Sequence, residues 1–377
     1  MDLIRLGDIA TYINGYAFKP KDWREKGIPI IRIQNLNDPN KEYNYFDGEI
    51  DSKYLVNEGD ILISWSASIG VYEWRGQQGV LNQHIFKVDF NKIKIDKKYF
   101  KYIVSIALNR ALQYMHGSTM KHITKQYFDN ILIPVPLFDQ QIKIANILDQ
   151  AQELIDKRKA QIEALDELIQ SVFYDMFGDP IQNPKGFNKK AIGKEFEIKT
   201  GATPSRKDET YWDNGTIPWV KTTELKEVVI YDTDECITEL GFNNSSVNLL
   251  PKNTLLIAMY GQGKTRGMTG KLGIEATTNQ ACAALLPTDK NNQDFIWIQL
   301  RCLYEELRNL GRGGNQPNLN TNLIKSFEIL FPPIELQNQF AEIVENIEKQ
   351  KELLNECLVE LENNFNSLMQ RAFSGEL

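Results

Sequence analysis

Gly263-Lys264-Thr265, reached through Ala258-Met259-Tyr260-Gly261-Gln262, is the one segment spaced for phosphate chemistry. A phosphate-binding loop needs a helix to begin at its lysine, so that the first free amides point at the phosphates. The residues that follow, Arg266-Gly267-Met268-Thr269-Gly270-Lys271-Leu272-Gly273, carry three glycines and no apolar period. Glycine costs about 1 kcal/mol in a helix interior, so a helix is not expected there. A basic glycine-rich loop describes the segment better, and a nucleotide-binding enzyme built on Lys264 stands only as the alternative. Other catalytic patterns are missing. There is no Gly-x-Ser-x-Gly elbow, no His-Glu-x-x-His, no Asn/Asp-Pro-Pro-aromatic tetrad and no glycine-rich dinucleotide fingerprint. Cys236, Cys282, Cys302 and Cys357 are scattered, and with only His84, His116 and His122 beside them no metal set forms.

Polar and basic residues gather instead where loops should leave strands. The first half of the chain has Arg32-Ile33-Gln34-Asn35, then Ser64-Trp65-Ser66-Ala67-Ser68, then Gly117-Ser118-Thr119-Met120-Lys121-His122. The second half has Lys221-Thr222-Thr223-Glu224, the glycine-rich loop with Lys264 and Arg266, and Gly311-Arg312-Gly313-Gly314-Asn315-Gln316-Pro317-Asn318. Such side chains read the edges of bases or grip phosphates. Any one of them is also what a turn or cap would use. Recurrence at matching points lifts the set above its members. The candidate DNA contacts are Arg32, Gln34, Ser66, Lys121 and His122 in one half, and Lys221, Thr222, Lys264, Arg266, Asn315 and Gln316 in the other. Lys264 suits a phosphate and Arg266 a base edge.

A net charge of -7 looks wrong for such a role until it is located. Eight glutamates and two lysines lie between Glu335 and Glu362, so one segment carries most of the excess. Basic clusters remain at Lys92-Lys94-Lys97-Lys98-Lys101, Lys185-Lys189-Lys190-Lys194 and Lys264-Arg266-Lys271, and local patches decide what a surface can meet. No apolar run approaches the roughly 18 residues of a membrane span, and residues 1–20 lack the charged-then-apolar form of a signal peptide. Double-stranded DNA as partner, no membrane and a cytoplasmic location with reduced thiols are the expectations.

The elements that must position these loops occur twice. Ile28-Pro29-Ile30 returns as Ile217-Pro218-Trp219, Asn82-Gln83 as Asn279-Gln280, Pro134 and Pro136 as Pro332 and Pro333, and Ala145-Asn146-Ile147-Leu148 as Ala341-Glu342-Ile343-Val344. The period is far longer than a solenoid repeat, so a whole domain plus helix is duplicated. Ile28–Ile33, Ile61–Ser64 and Ile85–Val88 read as strands and Tyr99–Met115 as a helix. Ile217–Val220, Thr254–Ala258 and Ala281–Leu286 then read as strands and Phe295–Leu310 as a helix. A mixed α/β (α+β) domain is expected at residues 1–137 and again at 179–332.

Between and after them, residues 138–178 and 333–377 carry heptads. Leu148, Ile155, Ile162, Ile169 and Met176 recur every seven residues, with Ala151, Arg158, Leu165 and Val172 in the second position of the seam. Val344, Lys351, Leu358, Phe365 and Ala372 pair likewise with Ile347, Leu354, Leu361 and Leu368. This spacing predicts two long helices in a coiled coil, antiparallel because a whole domain separates them, each stopped by glycine near Gly178 and Gly375. About 38 residues give a rod of roughly 57 Å, long enough to hold two readers on neighbouring exposures of a major groove. A pure scaffold is the competing use of such a rod. Arg158 and Lys351 interrupt the seams and are expected to reach out to edge carboxylates.

The whole chain resembles the specificity subunits of type I restriction–modification systems. The resemblance rests on Gly117-Ser118-Thr119-x-Lys121-His122-Ile123-Thr124 leading to Ile133-Pro134-x-Pro136-Leu137-x-x-Gln140-Gln141, and on Pro332-Pro333-Ile334-Glu335-x-Gln337. Leu81-Asn82-Gln83-His84 and Thr278-Asn279-Gln280-Ala281 add to it. It implies a pseudo-two-fold protein without catalysis or cofactor of its own. Each globular domain would be a target-recognition domain reading one half of a split, asymmetric DNA target. The helices would set the spacing and dock two modification subunits, which carry S-adenosylmethionine and methylate adenine; restriction subunits can join. The resemblance assigns no individual contact residue, because recognition loops vary most within that family.

Overall fold

A computed structural model describes residues 2–38, 40–114, 123–261, 263–311 and 318–377. Two compact units divide the chain: Met1–Lys159 with Glu356–Leu377, and Ala160–Asn355. Each unit is therefore one globular copy together with a half of each long helix.

In the first unit the fully buried strand Ile61–Ser64 lies between Ile85–Asp89 and Gly70–Glu73, and Thr11–Asn14 closes the far edge, all antiparallel. A second small sheet runs in the order Asn44–Phe46, Ile28–Ile31, Gly79–Leu81 and Leu55–Val56. Its strand at Ile28 stops at Ile31, two residues short of the expected end. The Asn35 side chain accepts from the Arg32 amide at 3.2 Å and turns the chain into the short helix Ile33–Asn37. Helix Lys97–Tyr114 buries Tyr99, Phe100, Ile103 and Val104 against the larger sheet.

The second unit repeats the plan. Leu255–Ala258 is the buried central strand, flanked by Cys282–Leu285 and Thr269–Leu272, with Ile198–Thr200 outside. Ile217–Val220 pairs with Cys236–Ile237 and with Thr277–Thr278. The single helix expected over Phe295–Leu310 is two, Gln293–Cys302 and Tyr304–Asn309. Leu303 between them leaves helical geometry (φ -100°, ψ 19°), and the bend lets both Leu303 and Leu307 enter the core.

Phe138–Phe177 and Ile334–Ser374 are continuous helices of 40 and 41 residues. Gly178 (φ 74°) and Gly375 (φ 82°) follow their ends in the left-handed conformation that glycine adopts without strain. Within each unit the helix halves run antiparallel. Lys159 pairs with Glu362 at 2.9 Å in the first, and Lys351 with Asp166 at 2.7 Å in the second. Leu148, Ile155, Ile169, Val344 and Ile347 are buried, while Ile162, Leu165, Leu354, Leu358 and Leu361 are half-buried along the seam. Lys351 thus finds its edge carboxylate. Arg158 does not behave alike: its Nε is buried without a hydrogen-bond partner among the described residues.

The shared Pro…Gln motif has a mechanical meaning. Gln141 and Gln337 are buried near the starts of the two helices. Gln141 accepts from the Asp96 amide at 2.9 Å and donates to the Pro136 carbonyl at 2.8 Å. Gln337 accepts from the Asn292 amide at 2.9 Å and donates to the Pro332 carbonyl at 2.8 Å. In each copy one amide side chain ties the long helix to the domain it leaves.

Candidate nucleic-acid interface

The Asn-Gln segments are where the candidate loops meet. Asn82 donates its amide to Ile31 O (3.1 Å), and the Trp65 amide donates to His84 O (3.3 Å). The strand exits carrying Arg32 with Gln34, and Ser66, therefore both abut Leu81–His84. The second copy repeats this. The Asn279 amide donates to Val220 O (3.1 Å) and the Met259 amide to Ala281 O (2.8 Å), so the exits with Lys221 and with the Lys264 loop flank Thr278–Ala281. Glycine is required beside each segment. A Cβ on Gly15 would lie 1.9 Å from Asn82 O, and one on Gly201 2.0 Å from Thr278 O.

Arg32 is half-buried, its guanidinium 5.2 Å from the Trp23 ring and donating to Asn44 Oδ1 at 3.0 Å. Gln34 is exposed and donates to Glu42 O at 3.2 Å, while Ser66 O accepts from Ser64 Oγ at 3.1 Å. Lys221 faces Asp234 at 3.2 Å and Glu235 at 3.4 Å, which raise its pKa against the opposing effect of desolvation. Thr222 is buried under the turn that Glu224 caps, with Glu224 Oε2 accepting from the Lys221 amide. Lys121, His122, Asn315 and Gln316 lie outside the described residues.

The Lys264 loop is a hairpin connection, not the start of a helix. Ala258 and Met268 pair across it, and Thr269–Leu272 follows as a strand. Nucleotide binding through a helix N-terminus at Lys264 has no structural basis. Nor is the loop slack. Tyr304 Oη donates to Lys264 O at 2.7 Å, and Arg308 donates to Arg266 O at 3.3 Å and Gly263 O at 2.5 Å. With its carbonyls tied to helix Tyr304–Asn309, the loop holds the Lys264 side chain out and leaves Arg266 half-buried.

Several residues of these clusters were not marked by sequence reasoning. Trp23 and Asn44 hold Arg32. In the second copy Arg206, an exposed residue of the loop after Ile198–Thr200, lies 3.6 Å from the Trp212 ring and pairs with Glu235. Burial penalises the charged form of Glu235, but Arg206 and Lys221 outweigh it and hold the carboxyl below its usual range. Among the described residues no cluster of His, Cys, Asp and Glu could hold a metal, and no helix is long and apolar enough to cross a membrane.

Comparison with known proteins meets this geometry. The family model for the type I restriction modification DNA specificity domain matches twice, at residues 1–164 and 184–363. The chain is 24% identical over 413 residues to the type I restriction enzyme EcoBI specificity subunit of Escherichia coli, covering 99% of this chain and 85% of that one. It is 23% identical over 406 residues to the MjaVIII specificity subunit of Methanocaldococcus jannaschii, covering 100% and 92%. In fold it resembles the S subunit from M. genitalium, with a TM-score of 0.55 and 14% identity, covering 99% of this chain and 96% of that one. It also resembles a chain solved in work on assembly and conformational transition of the type I R-M system, with a TM-score of 0.64 and 15% identity, covering 100% and 98%. With two matched stretches spanning most of its length, one on each copy of the fold, the chain belongs to the type I restriction–modification DNA specificity family.

Proposed function

We propose that this chain is the target-reading subunit of a type I restriction–modification complex, in which each copy reads one half of a split, asymmetric double-stranded DNA target. The observation that carries this reading is the contrast between the copies. Their scaffolds share the buried central strand with its neighbours and the Gln141/Gln337 tether, while the strand exits present different side chains, Arg32 against Lys221 and Ser66 against the Lys264 loop. A duplicated frame with unlike loops suits two different half-sequences. A bare scaffold has no need of unlike polar loops at matching strand exits.

On this reading the chain has no catalysis of its own, and S-adenosylmethionine belongs to two modification subunits, with restriction subunits able to join. The helix pair sets the spacing of the half-sites and docks the modification subunits. Leu154 and Val359 in the first unit and Leu168 and Leu353 in the second stand exposed on the helices, which supports docking there. Four free cysteines are compatible with work in the cytoplasm. The test is sequencing of methylated bases in genomic DNA from a host with and without this gene. A bipartite adenine-methylated motif that disappears with the gene is expected. An unchanged methylation pattern would contradict the reading.

A further inference from the structure

Two tryptophans stand at the same place in the repeat. Trp23 follows the 3-10 turn Pro20–Asp22 and Trp212 the 3-10 turn Glu209–Tyr211, each five residues before the Ile-Pro that opens the next strand. Each indole carries a guanidinium, but from a different point in the chain. In the first copy it is Arg32, at the strand exit, 5.2 Å from the ring. In the second, where Lys221 holds that exit, it is Arg206 from the preceding loop, 3.6 Å from Trp212 and 4.9 Å from Trp219. Both guanidinium groups bond the same register position of the neighbouring strand. Asn44 lies across from Ile30, and Glu235 accepts in backbone pairing from Trp219 at the equivalent place. Arg32 donates to Asn44 and Arg206 to Glu235.

We propose that Arg206 is the base-reading arginine of the second copy, and that it takes the guanine of a G·C pair by donating to O6 and N7. The assignment rests on the DNA-recognition reading above. Its geometry is that of a presented group: the side chain is 49% exposed, yet its plane is set by an indole and one edge by a carboxylate. Glu235 takes an Nη2 donor of this half-exposed fork, and a side chain so stacked and paired has little rotamer freedom left to lose on binding. A phosphate role fits poorly. Glu224, Asp234 and Glu235 gather around Arg206 and Lys221, so carboxylates outnumber cations, which repels a polyanion but not the neutral acceptors of a base edge. Lys221 is already divided between Asp234 and Glu235 and lacks the planar fork.

The experiment uses the full chain assembled with its modification subunits. Binding is measured at several salt concentrations, on the target duplex and on every single-base-pair variant of both halves, for the wild type, Arg206→Ala and Arg206→Lys. The wild type should disfavour replacement of one G·C pair by about tenfold or more. Both variants should flatten that one position to within about twofold, leaving the other positions, the other half and the salt dependence unchanged. Lysine failing as alanine does is the mark of bidentate reading, since it keeps the charge. A uniform loss of affinity, a loss of discrimination across the whole half-site, or an unchanged profile would each overturn the assignment. A wild-type complex indifferent to every replacement would overturn the DNA-recognition reading itself, and this assignment with it.

Discussion

Glu235 is the residue on which both cations of the second cluster depend, and that makes its titration informative. Its folded-state pKa lies below the ordinary value of 4.5 because Arg206 and Lys221 favour the carboxylate despite the cost of burial. The folded chain therefore binds this proton less readily than the unfolded one. The stabilisation is complete above the ordinary value and is lost as pH falls through the lowered one. Glu235→Gln should destabilise the protein at neutral pH, and the gap to wild type should close as the solution is acidified through the lowered pKa of the folded state. Thermal unfolding of both proteins across pH checks this; a gap that does not change with pH would count against the pairing. At this scale the sequence disclosed strand exits but not their partners. Arg32 and Lys221 could be marked because each follows an Ile-Pro strand. Asn44, Glu235 and Arg206 could not, since they are brought to the exits by an antiparallel register that no local pattern specifies. Trp23 and Trp212 were findable, standing at one spacing before the two Ile-Pro pairs.

Among the elements, the long helices were the most legible, because a heptad repeated over 40 residues has few other interpretations. Their tethering was less so. The motif Gln140-Gln141 does not say which glutamine matters. The structure buries Gln141 between the Asp96 amide and the Pro136 carbonyl and leaves Gln140 exposed. Gln141→Ala should cost about 1–3 kcal/mol, since it leaves a half-buried donor and a half-buried acceptor without their partner. Gln140→Ala should stay within about 0.5 kcal/mol of wild type. Urea denaturation of the two variants distinguishes them, and equal effects would contradict the tether. The short elements show where periodicity misleads. Ile33 looked like strand until Asn35 capped the Arg32 amide, and the helix expected through Leu310 breaks where Leu303 turns inward.

For the whole molecule, the duplication was visible in sequence because the positions that bond the scaffold are the ones the copies share. Asn82 and Asn279 extend a parallel strand pairing by the same amide bond, and Gln141 and Gln337 make the same pair of contacts. The loops differ because nothing in the scaffold dictates them. Less visible was that each compact unit combines one copy with halves of both helices, an arrangement only long-range packing reveals. The central claim is that the copies read independently. It is tested most directly by replacing Gly186–Pro332 with the corresponding domain of a relative that reads a different half-sequence, then sequencing methylated bases in a host that expresses the chimera with its modification subunits. One half of the bipartite motif should change to the donor's, while the other half and the gap stay as they were. A chimera that is active yet changes both halves, or keeps the original motif, would contradict the account.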